Sequence, residues 1–230
     1  MNLPVAIVAG GLATRLHPIT ETIPKSLVEV AGQPFIAHQL ALLRGRKVVV
    51  CVGHLGEHVE AAIGSGTAYD VDVAYSYDGG TLLGTAGALC KALPMLGDAF
   101  LVLYGDSYLR CDYAEVERTF AAAGKLGLMT VFENRSQYDC SNVTYRDGRI
   151  LCYEKGARRP DMTHIDYGLG ALRAAALAEY PVGVRVDLAD VYRDLLARGE
   201  LAAYEVRERF YEIGSPAGLE ETRRLLGGSA

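Results

Sequence analysis

The sequence predicts an α/β fold: a Rossmann-like, mainly parallel sheet flanked by helices, with an added hairpin and lid in the second half. Short, continuous apolar runs recur along the chain, as in strands that are buried on both faces. Segments with helical apolar spacing separate these runs, and such alternation is typical of βαβ units. We therefore expect a single domain over residues 1–230, made of the halves 1–135 and 136–230.

The first half carries the clearest strand and helix signals. The run Val71–Tyr77 alternates more than the others, which favours a position near the sheet edge. Thr85 is a plausible N-cap for the helix that follows it. The predicted strands are Val5–Ala9, Lys47–Val52, Val71–Tyr77, Phe100–Tyr104 and Leu128–Glu133. The predicted helices are Phe35–Leu43, Gly56–Ile63, Thr85–Leu93 and Tyr113–Ala123.

The second half begins with a hairpin pattern. Two short apolar segments, 143–145 and 150–153, flank Arg146-Asp147-Gly148-Arg149, and Asp-Gly between such segments predicts a tight hairpin turn. Further along, the predicted strands are Tyr167–Leu172 and Leu201–Val206, and the predicted helices are Leu188–Ala197 and Ala217–Leu226.

Composition excludes several classes of protein. Half of the 230 residues are apolar and 22% are charged, so an ordered core is expected. A net charge of −5 argues against a chain-wide nucleic-acid surface. The five cysteines form no CxxC pair, which favours reduced thiols over a zinc site or disulfides. With no signal-peptide pattern and no apolar stretch as long as a membrane span, we expect a cytoplasmic protein without a membrane partner.

The strongest local signal follows the first predicted strand, in Ala9-Gly10-Gly11-Leu12-Ala13-Thr14-Arg15-Leu16. Two glycines there allow backbone N–H groups to approach a phosphate, at the sheet edge where α/β proteins bind ligands. Arg15 can donate two hydrogen bonds to phosphate oxygens. The spacing matches neither GxxxxGK[ST] nor GxGxxG. Taken alone, Gly-Gly is better explained by an ordinary turn.

A second cation follows on a rigid segment. Lys25 comes directly after Pro24, which restricts the backbone and disfavours a helix at this point. A lysine held opposite a glycine-rich turn is suited to binding phosphate. An isolated lysine would more simply be an exposed surface residue.

Together these segments resemble the signature of sugar-phosphate nucleotidyltransferases. The pattern is Gly-Gly-x-x-Thr-Arg-Leu-x-Pro-x-Thr, then Pro-Lys, then Leu-Val-Glu-Val-Ala-Gly-Gln-Pro, and the resemblance covers residues 5–43. The family includes hexose and heptose 1-phosphate guanylyl-, uridylyl- and thymidylyltransferases. The chain looks most like the heptose and mannose 1-phosphate guanylyltransferases. The resemblance implies an NTP and a sugar 1-phosphate as ligands, and it allows a homo-oligomer.

The resemblance implies roles for residues of the first half, the nucleotide-binding half. Arg15 and Lys25 are expected to be catalytic. The segment 83–89, Leu-Gly-Thr-Ala-Gly-Ala-Leu, is similar to the family's base-recognition segment, although a tight helix–helix contact also explains its small residues. The residues expected to bind the nucleotide are Ala9, Gly10, Gly11, Thr14, Gly84, Thr85 and Gly87.

Two acidic residues are expected to hold Mg²⁺. Asp106 ends a buried apolar run, where a carboxylate is well placed to bind a metal on the triphosphate. A turn-capping role is the alternative. Residues 210–216, Phe-Tyr-Glu-Ile-Gly-Ser-Pro, resemble the family's Asp-x-Gly-Thr/Ser-Pro motif, whose acid is a second metal ligand. Here Glu212 stands where aspartate is usual.

The second half is expected to bind the sugar phosphate. Glu154 and Lys155 resemble a family pair in which the glutamate holds sugar hydroxyls and the lysine neutralises the phosphate. Without that resemblance, an exposed ion pair would explain them. The residues expected to contact the sugar phosphate are Asn142, Glu154, Lys155, Tyr167 and Gly168.

The resemblance implies attack by a sugar-phosphate oxygen on the α-phosphorus of an NTP, most consistently GTP, with pyrophosphate leaving in line. A manno-heptose or hexose 1-phosphate is the expected acceptor. Uridylyl or cytidylyl transfer to another sugar phosphate remains an alternative. A catalytically weak regulatory subunit that binds sugar nucleotides would also fit Glu212. A dinucleotide-dependent oxidoreductase does not fit, since GxGxxG is absent after the first strand.

Overall fold

The computed structural model describes residues 2–156 and 159–228. Over these ranges the helices are α1 (Phe35–Ala41), α2 (Gly56–Ile63), α3 (Gly84–Leu96), α4 (Tyr113–Ala123), α5 (Leu188–Ala197) and α6 (Pro216–Gly227). The strands are β1 (Val5–Val8), β2 (Glu29–Val30), β3 (Gln33–Pro34), β4 (Lys47–Val52), β5 (Asp72–Tyr77), β6 (Ala99–Tyr104), β7 (Ser107–Tyr108), β8 (Gly127–Glu133), β9 (Val143–Arg146), β10 (Arg149–Tyr153), β11 (His164–Arg173), β12 (Leu201–Val206) and β13 (Tyr211–Glu212).

One large sheet organises the described residues. Strands β5, β4, β1 and β6 lie side by side and are parallel, and β11 follows as an antiparallel neighbour of β6. Beyond β11 come β8 and then β12, which share the direction of β6. The hairpin of β9 and β10 joins the start of β11 at His164. The expected Rossmann-like sheet is thus confirmed, with β5 at its edge as the sequence indicated.

The continuous apolar runs reflect burial on both faces of the sheet. Because side chains alternate along a strand, Val5 and Ile7 belong to one core cluster and Ala6 to another. Helices α1, α2 and α4 contribute to the first cluster, and α3 and α5 contribute to the second. A third, smaller cluster packs Leu219 of α6 against residues of the segment 16–35, so the last helix lies beside the phosphate-loop region.

The predicted hairpin is confirmed at its turn. Arg149 pairs with Arg146, which leaves Asp147 and Gly148 as a two-residue loop with φ of 51° and 78°. Positive φ at both central residues is what a type I′ turn requires, and this explains Asp-Gly at that position.

Several sequence predictions need correction, among them the end of α3, which lies at Leu96 rather than Leu93. Strand β11 is longer than the predicted Tyr167–Leu172, and α1 ends at Ala41 rather than Leu43. Thr85 is not the N-cap of α3, since the helix begins at Gly84 and no side chain caps it. The Thr85 hydroxyl instead accepts a hydrogen bond from the backbone N–H of Leu188 at 2.7 Å, so a tertiary contact replaces the local one.

The sequence predicts reduced thiols and no membrane span. Among the described residues, no helix combines the length and the apolar character needed to cross a membrane. The cysteines within these ranges are thiols rather than disulfides, and Cys51 and Cys90 are buried.

Candidate active site

A cavity of about 610 Å³ opens at the carboxyl ends of β1 and β6. Parallel neighbours in an α/β sheet end at one edge, which is where such folds bind ligands. The predicted site residues that line the cavity are Ala9, Gly10, Gly11, Thr14, Arg15, Lys25, Gly84, Thr85, Asp106, Asn142, Lys155, Tyr167, Gly168 and Glu212. Gly87 and Glu154 are not among the lining residues.

The glycine-rich loop after β1 offers free backbone donors. The N–H groups of residues 10–15 donate no hydrogen bond within the described parts of the chain. The Thr20 hydroxyl donates to the Ala13 carbonyl at 2.8 Å, which ties the loop to the segment that follows it, and Ala13 adopts a left-handed φ of 50°. A Cβ atom on Gly10 would lie 3.2 Å from the backbone N of Gly53. The loop can therefore bind an anion through its amides.

Asp106 owes its position to a close approach between β1 and β6. The N–H of Gly105 donates to the Val8 carbonyl at 3.0 Å, and a Cβ atom on Gly105 would lie 2.7 Å from that oxygen. From α1, the buried Gln39 donates to the backbone carbonyls of Tyr104 and Ser107 at 2.9 and 2.8 Å. The turn that presents Asp106 is held from both sides.

Lys25 and Asp106 form an ion pair inside the cavity, with 2.7 Å between Nζ and Oδ2. Burial opposes ionisation of Asp106, but the nearby charge and hydrogen bond of Lys25 outweigh it and lower the pKa of this carboxyl. Asp106 is therefore a carboxylate at neutral pH.

Glu212 meets Asp106 from the other end of the chain. Strand β13 pairs with β7, and the Ile213 N–H donates to the Asp106 carbonyl at 2.9 Å. Oε1 of Glu212 accepts from the Ser215 hydroxyl at 2.6 Å, and Oε2 accepts from the Gly214 N–H. Burial, together with the negative charge of Asp106, raises the pKa of Glu212 despite these hydrogen bonds.

Charged groups of both signs converge around Gly214. A Cβ atom built on Gly214 would lie 2.7 Å from Oε2 of Glu212 and 2.9 Å from Nη2 of Arg15. The same point is 3.0 Å from Oδ2 of Asp106. Among the described residues, no group of three or more acidic, histidine or cysteine side chains could hold a metal alone. Two converging carboxylates nevertheless fit Mg²⁺, which binds proteins through one or two carboxylates and completes its shell with substrate phosphates and water.

The predicted base-recognition segment packs against residues 184–186. Gly84 has φ of +71°, and a Cβ atom there would lie 2.6 Å from the Val186 carbonyl oxygen. A Cβ atom on Gly87 would lie 2.4 Å from the Val184 carbonyl oxygen. Gly87 is thus placed in a packing contact rather than on the cavity wall. Gly84 and Thr85 do face the cavity.

The predicted sugar side is built around Asp166 and Asp187, two residues that were not among the predicted site residues. Asn142 Oδ1 accepts from the Asp166 N–H at 3.0 Å, and Lys155 Nζ lies 3.1 Å from Oδ2 of Asp187. Burial raises the pKa of Asp166, although hydroxyls of Tyr104 and Tyr153 donate to it. Glu154 is exposed and lies outside this cluster.

A third carboxylate that was not predicted from the sequence lies near the base-recognition segment. Asp78 is 8% exposed, lines the cavity and accepts a hydrogen bond from the Leu83 N–H at 3.0 Å. Burial raises the pKa of Asp78, against the effects of that hydrogen bond and of Lys91. Asp78 follows the predicted strand 71–77, just as Asp106 follows a predicted strand, so the same sequence signal could have identified it. Asp187 precedes a predicted helix, so its sequence position indicates only an N-cap.

Known proteins resemble this chain in sequence and in fold, and some of them match its length while others are longer. The N-acetylmuramate alpha-1-phosphate uridylyltransferase of Neisseria meningitidis serogroup B is 28% identical over 231 residues, covering 96% of this chain and 97% of that protein. A mannose-1-phosphate guanylyltransferase of Mycobacterium tuberculosis is 26% identical over 94% of this chain, which spans only 62% of that relative. The crystal structure of HddC from Yersinia pseudotuberculosis superposes with a TM-score of 0.79 at 21% identity, covering 97% of this chain and 99% of that one.

The family assignment follows from a match over more than half of the chain. Residues 5–139 match the family described as nucleotidyl transferase, and these residues include the glycine-rich loop, Lys25 and Asp106. The chain therefore belongs to the nucleotidyl transferase family.

Proposed function

We propose that this protein transfers a nucleoside monophosphate from an NTP, preferentially GTP, to the phosphate of a manno-configured heptose or hexose 1-phosphate, in the cytoplasm. The products are a nucleoside diphosphate sugar and pyrophosphate. The observation that carries the proposal is the convergence of Arg15, Lys25, Asp106 and Glu212 beside a loop of free backbone amides. Membership of the nucleotidyl transferase family, together with similarity to sugar 1-phosphate uridylyl- and guanylyltransferases, supports nucleotidyl transfer to a sugar 1-phosphate.

Binding and charge neutralisation account for the reaction without a covalent enzyme intermediate. The amides of residues 10–15 and the Arg15 guanidinium hold the β- and γ-phosphates, which leave as pyrophosphate. Lys25 donates to an α-phosphate oxygen as negative charge develops there. Lys155 holds the phosphate of the sugar, whose oxygen attacks the α-phosphorus in line. Breaking the bond from the α-phosphorus to the bridging oxygen completes the exchange.

Asp106 and Glu212 are the residues that would hold Mg²⁺. When bound, the ion supplies Lewis-acid polarisation of the α-phosphate and screens the charge of the triphosphate. The Lys25–Asp106 ion pair keeps Asp106 ionised and also keeps the Lys25 ammonium beside the position of the α-phosphate.

Asp78 supports guanine as the preferred base. Guanine presents adjacent N–H donors at N1 and N2, which a carboxylate can accept together. Uracil presents one N–H donor between two carbonyl oxygens, and a carboxylate would repel those two oxygens. Asp78 lies beside the base-recognition segment, and its Oδ2 would be 3.3 Å from a Cβ atom on Gly10. We propose that Asp78 accepts hydrogen bonds from N1 and N2 of guanine.

Uridylyl transfer to an amino-sugar 1-phosphate is the second candidate. The relative from Neisseria meningitidis, whose name gives that activity, matches this chain over nearly the full length of both proteins. The catalytic geometry is the same for both candidates, and only the base and sugar contacts differ.

The test is pyrophosphate release by the purified protein with Mg²⁺, each of ATP, CTP, GTP, UTP and dTTP, and a panel of sugar 1-phosphates. Release that is fastest with GTP and a manno-heptose or mannose 1-phosphate is the expected result. Release that is fastest with UTP and an amino-sugar 1-phosphate would reject GTP and the manno-configured acceptor in favour of the second candidate. Absence of release with every pair would reject the proposed activity.

A further inference from the structure

The carboxylate of Asp187 joins the two sides of the cavity. Its Oδ1 accepts from the Thr85 hydroxyl at 3.2 Å, and Thr85 belongs to the predicted base-recognition segment. Its Oδ2 accepts from Lys155 Nζ at 3.1 Å, and Lys155 belongs to the predicted sugar-phosphate side. One side chain on the segment before α5 therefore contacts residues that are proposed to serve different substrates.

Helix capping explains only one oxygen of Asp187. At the start of α5, Oδ1 accepts from the Ala189 N–H at 3.0 Å. Asp112 caps α4 in the same way, because its Oδ1 alone accepts from Ala114 N–H and Glu115 N–H. In both aspartates, capping leaves Oδ2 free for another role. In Asp187 that oxygen faces a cation that lines the cavity.

Asp187 is placed to restrain the side chain of Lys155. Its side chain is 61% exposed, and lysine is a flexible side chain that loses rotamer entropy when it is fixed. Within residues 2–156 and 159–228, its hydrogen-bond and ion-pair partner is Asp187. An ammonium has three donors, so Lys155 can contact Asp187 and a phosphate together.

The Asp187 carboxylate is itself held in one orientation. The Leu188 N–H donates to the Thr85 hydroxyl at 2.7 Å, and this hydroxyl donates onward to Asp187. Burial disfavours the ionised form, but hydrogen bonds from Ala189 and Lys155 outweigh it and lower the pKa of Asp187. Asp187 is a carboxylate at neutral pH and provides a fixed acceptor for Lys155.

We infer that Asp187 is a positioning residue, which holds the Lys155 ammonium where the phosphate of the sugar 1-phosphate binds. Through Thr85 it also ties that position to the nucleotide side of the cavity. This inference rests on the proposed function, since it assigns the partner of Lys155 within the same site. It predicts that loss of the Asp187 charge weakens the binding of the sugar 1-phosphate and leaves NTP binding largely intact.

The variant that separates positioning from capping is Asp187→Asn. Its amide oxygen can still accept from Ala189 and Thr85, whereas its amide nitrogen cannot accept from Lys155. We expect the KM for the sugar 1-phosphate to rise about tenfold, in keeping with loss of one charge-assisted hydrogen bond. The KM for the NTP and the melting temperature should change little. Asp112→Asn, the same change at the cap of α4, should leave both KM values as in the wild type.

A double-mutant cycle with Lys155→Ala provides the decisive readout. If Asp187 acts through Lys155, adding Asp187→Asn to Lys155→Ala causes no further rise in the KM for the sugar 1-phosphate. An equal rise in both backgrounds would overturn the inference and leave Asp187 a structural residue. Wild-type turnover combined with an unchanged KM in Asp187→Asn would overturn it as well. Absence of wild-type turnover with any substrate pair would instead overturn the proposed function, and the inference with it.

Discussion

The Lys25 ammonium lies 2.7 Å from the Asp106 carboxylate, across 81 residues of sequence. Lys25 is on a short 3-10 turn after Pro24, whereas Asp106 follows the central strand β6. The pair therefore fixes the loop segment against the edge of the sheet. It also places a cation and an anion at the point where an α-phosphate and its metal ion are proposed to bind.

Replacing Lys25 by alanine should reduce catalysis far more than stability. The variant loses a donor to the α-phosphate, and loss of one such donor typically costs about 10²–10³ in kcat. Steady-state kinetics and thermal unfolding of the same preparation measure both effects. Lys125→Ala, which removes an exposed ion pair of 3.8 Å with Glu200, is the matched control and should keep wild-type kcat. An unfolded or a fully active Lys25→Ala protein would contradict the assigned role.

Gly105→Ala should destabilise the fold. A methyl group there would lie 2.7 Å from the Val8 carbonyl oxygen and 2.9 Å from Cα of Ala9, so β1 and β6 would have to separate. Overpacking of this kind costs about 1–3 kcal/mol in the free energy of unfolding. Denaturant unfolding measures the loss. Gly80→Ala, where a Cβ atom meets nothing within 4 Å, is the stability control. Equal stability of the two variants would show that the contact at Gly105 relaxes at no cost.

Asp78→Asn should change the preference among nucleotides. An amide replaces one acceptor by a donor, which conflicts with the donors of guanine. A paired contact of this kind contributes about 1–3 kcal/mol of discrimination, so kcat/KM should fall at least about tenfold for GTP and much less for UTP. Asp72→Asn, at the start of the strand β5 that precedes Asp78, changes an exposed residue and should keep the wild-type ratio. An unchanged GTP-to-UTP ratio in Asp78→Asn would remove the argument for guanine.

Chelation should abolish activity reversibly, and Glu212→Gln should weaken the response to metal. EDTA treatment is expected to stop pyrophosphate release, and added Mg²⁺ is expected to restore it, because two carboxylates need the ion to bind the triphosphate productively. In Glu212→Gln the Mg²⁺ concentration for half-maximal activity should rise about tenfold or more. Glu220→Gln on α6, an exposed residue paired with Arg223, is the control. Full activity in EDTA would refute the assignment of Asp106 and Glu212.

The ionisation of Asp187 should appear in the pH dependence of stability. Its pKa is lowered from the usual 3.8 in the folded protein, so the unfolded state binds the proton more tightly. The carboxylate thus stabilises the fold above the unfolded pKa, and this stability is lost as the pH falls through the folded pKa. The free energy of unfolding of the wild type should exceed that of Asp187→Asn most at neutral pH. The difference should be less than about 1 kcal/mol, because the Lys155–Asp187 ion pair is about half exposed. Urea unfolding from neutral pH to about pH 3 tests this, and a pH-independent difference would contradict it.

The sequence located part of the candidate site by a simple rule. An acid directly after a buried parallel strand lies at the ligand-binding edge, and this rule placed Asp106 correctly in the cavity. Asp78 obeys the same rule after the strand signal 71–77, yet sequence position does not separate an acid that faces a cavity from one that caps a turn. Burial and the contact with Leu83 provide that distinction.

Local patterns were less informative for the small residues of α3. The sequence indicated that residues 83–89 are either a base-recognition segment or a tight helix–helix contact, and it predicted Thr85 as a helix cap. The structure shows the Thr85 hydroxyl bonded to Asp187 and Leu188, and it shows Gly87 against the Val184 carbonyl. The partner segment is about a hundred residues away, and no local pattern indicates which distant chain a small residue will meet.

The sequence by itself determined the alternation of strands and helices, the hairpin turn at Asp147-Gly148 and the glycine-rich loop after β1. These features depend on neighbours along the chain: apolar periodicity, turn chemistry and backbone freedom. Only the tertiary structure decided that Lys25 meets Asp106 and that Asp187 joins Thr85 to Lys155. Contacts between distant residues depend on how the helices pack on the sheet, and that packing is a property of the whole chain.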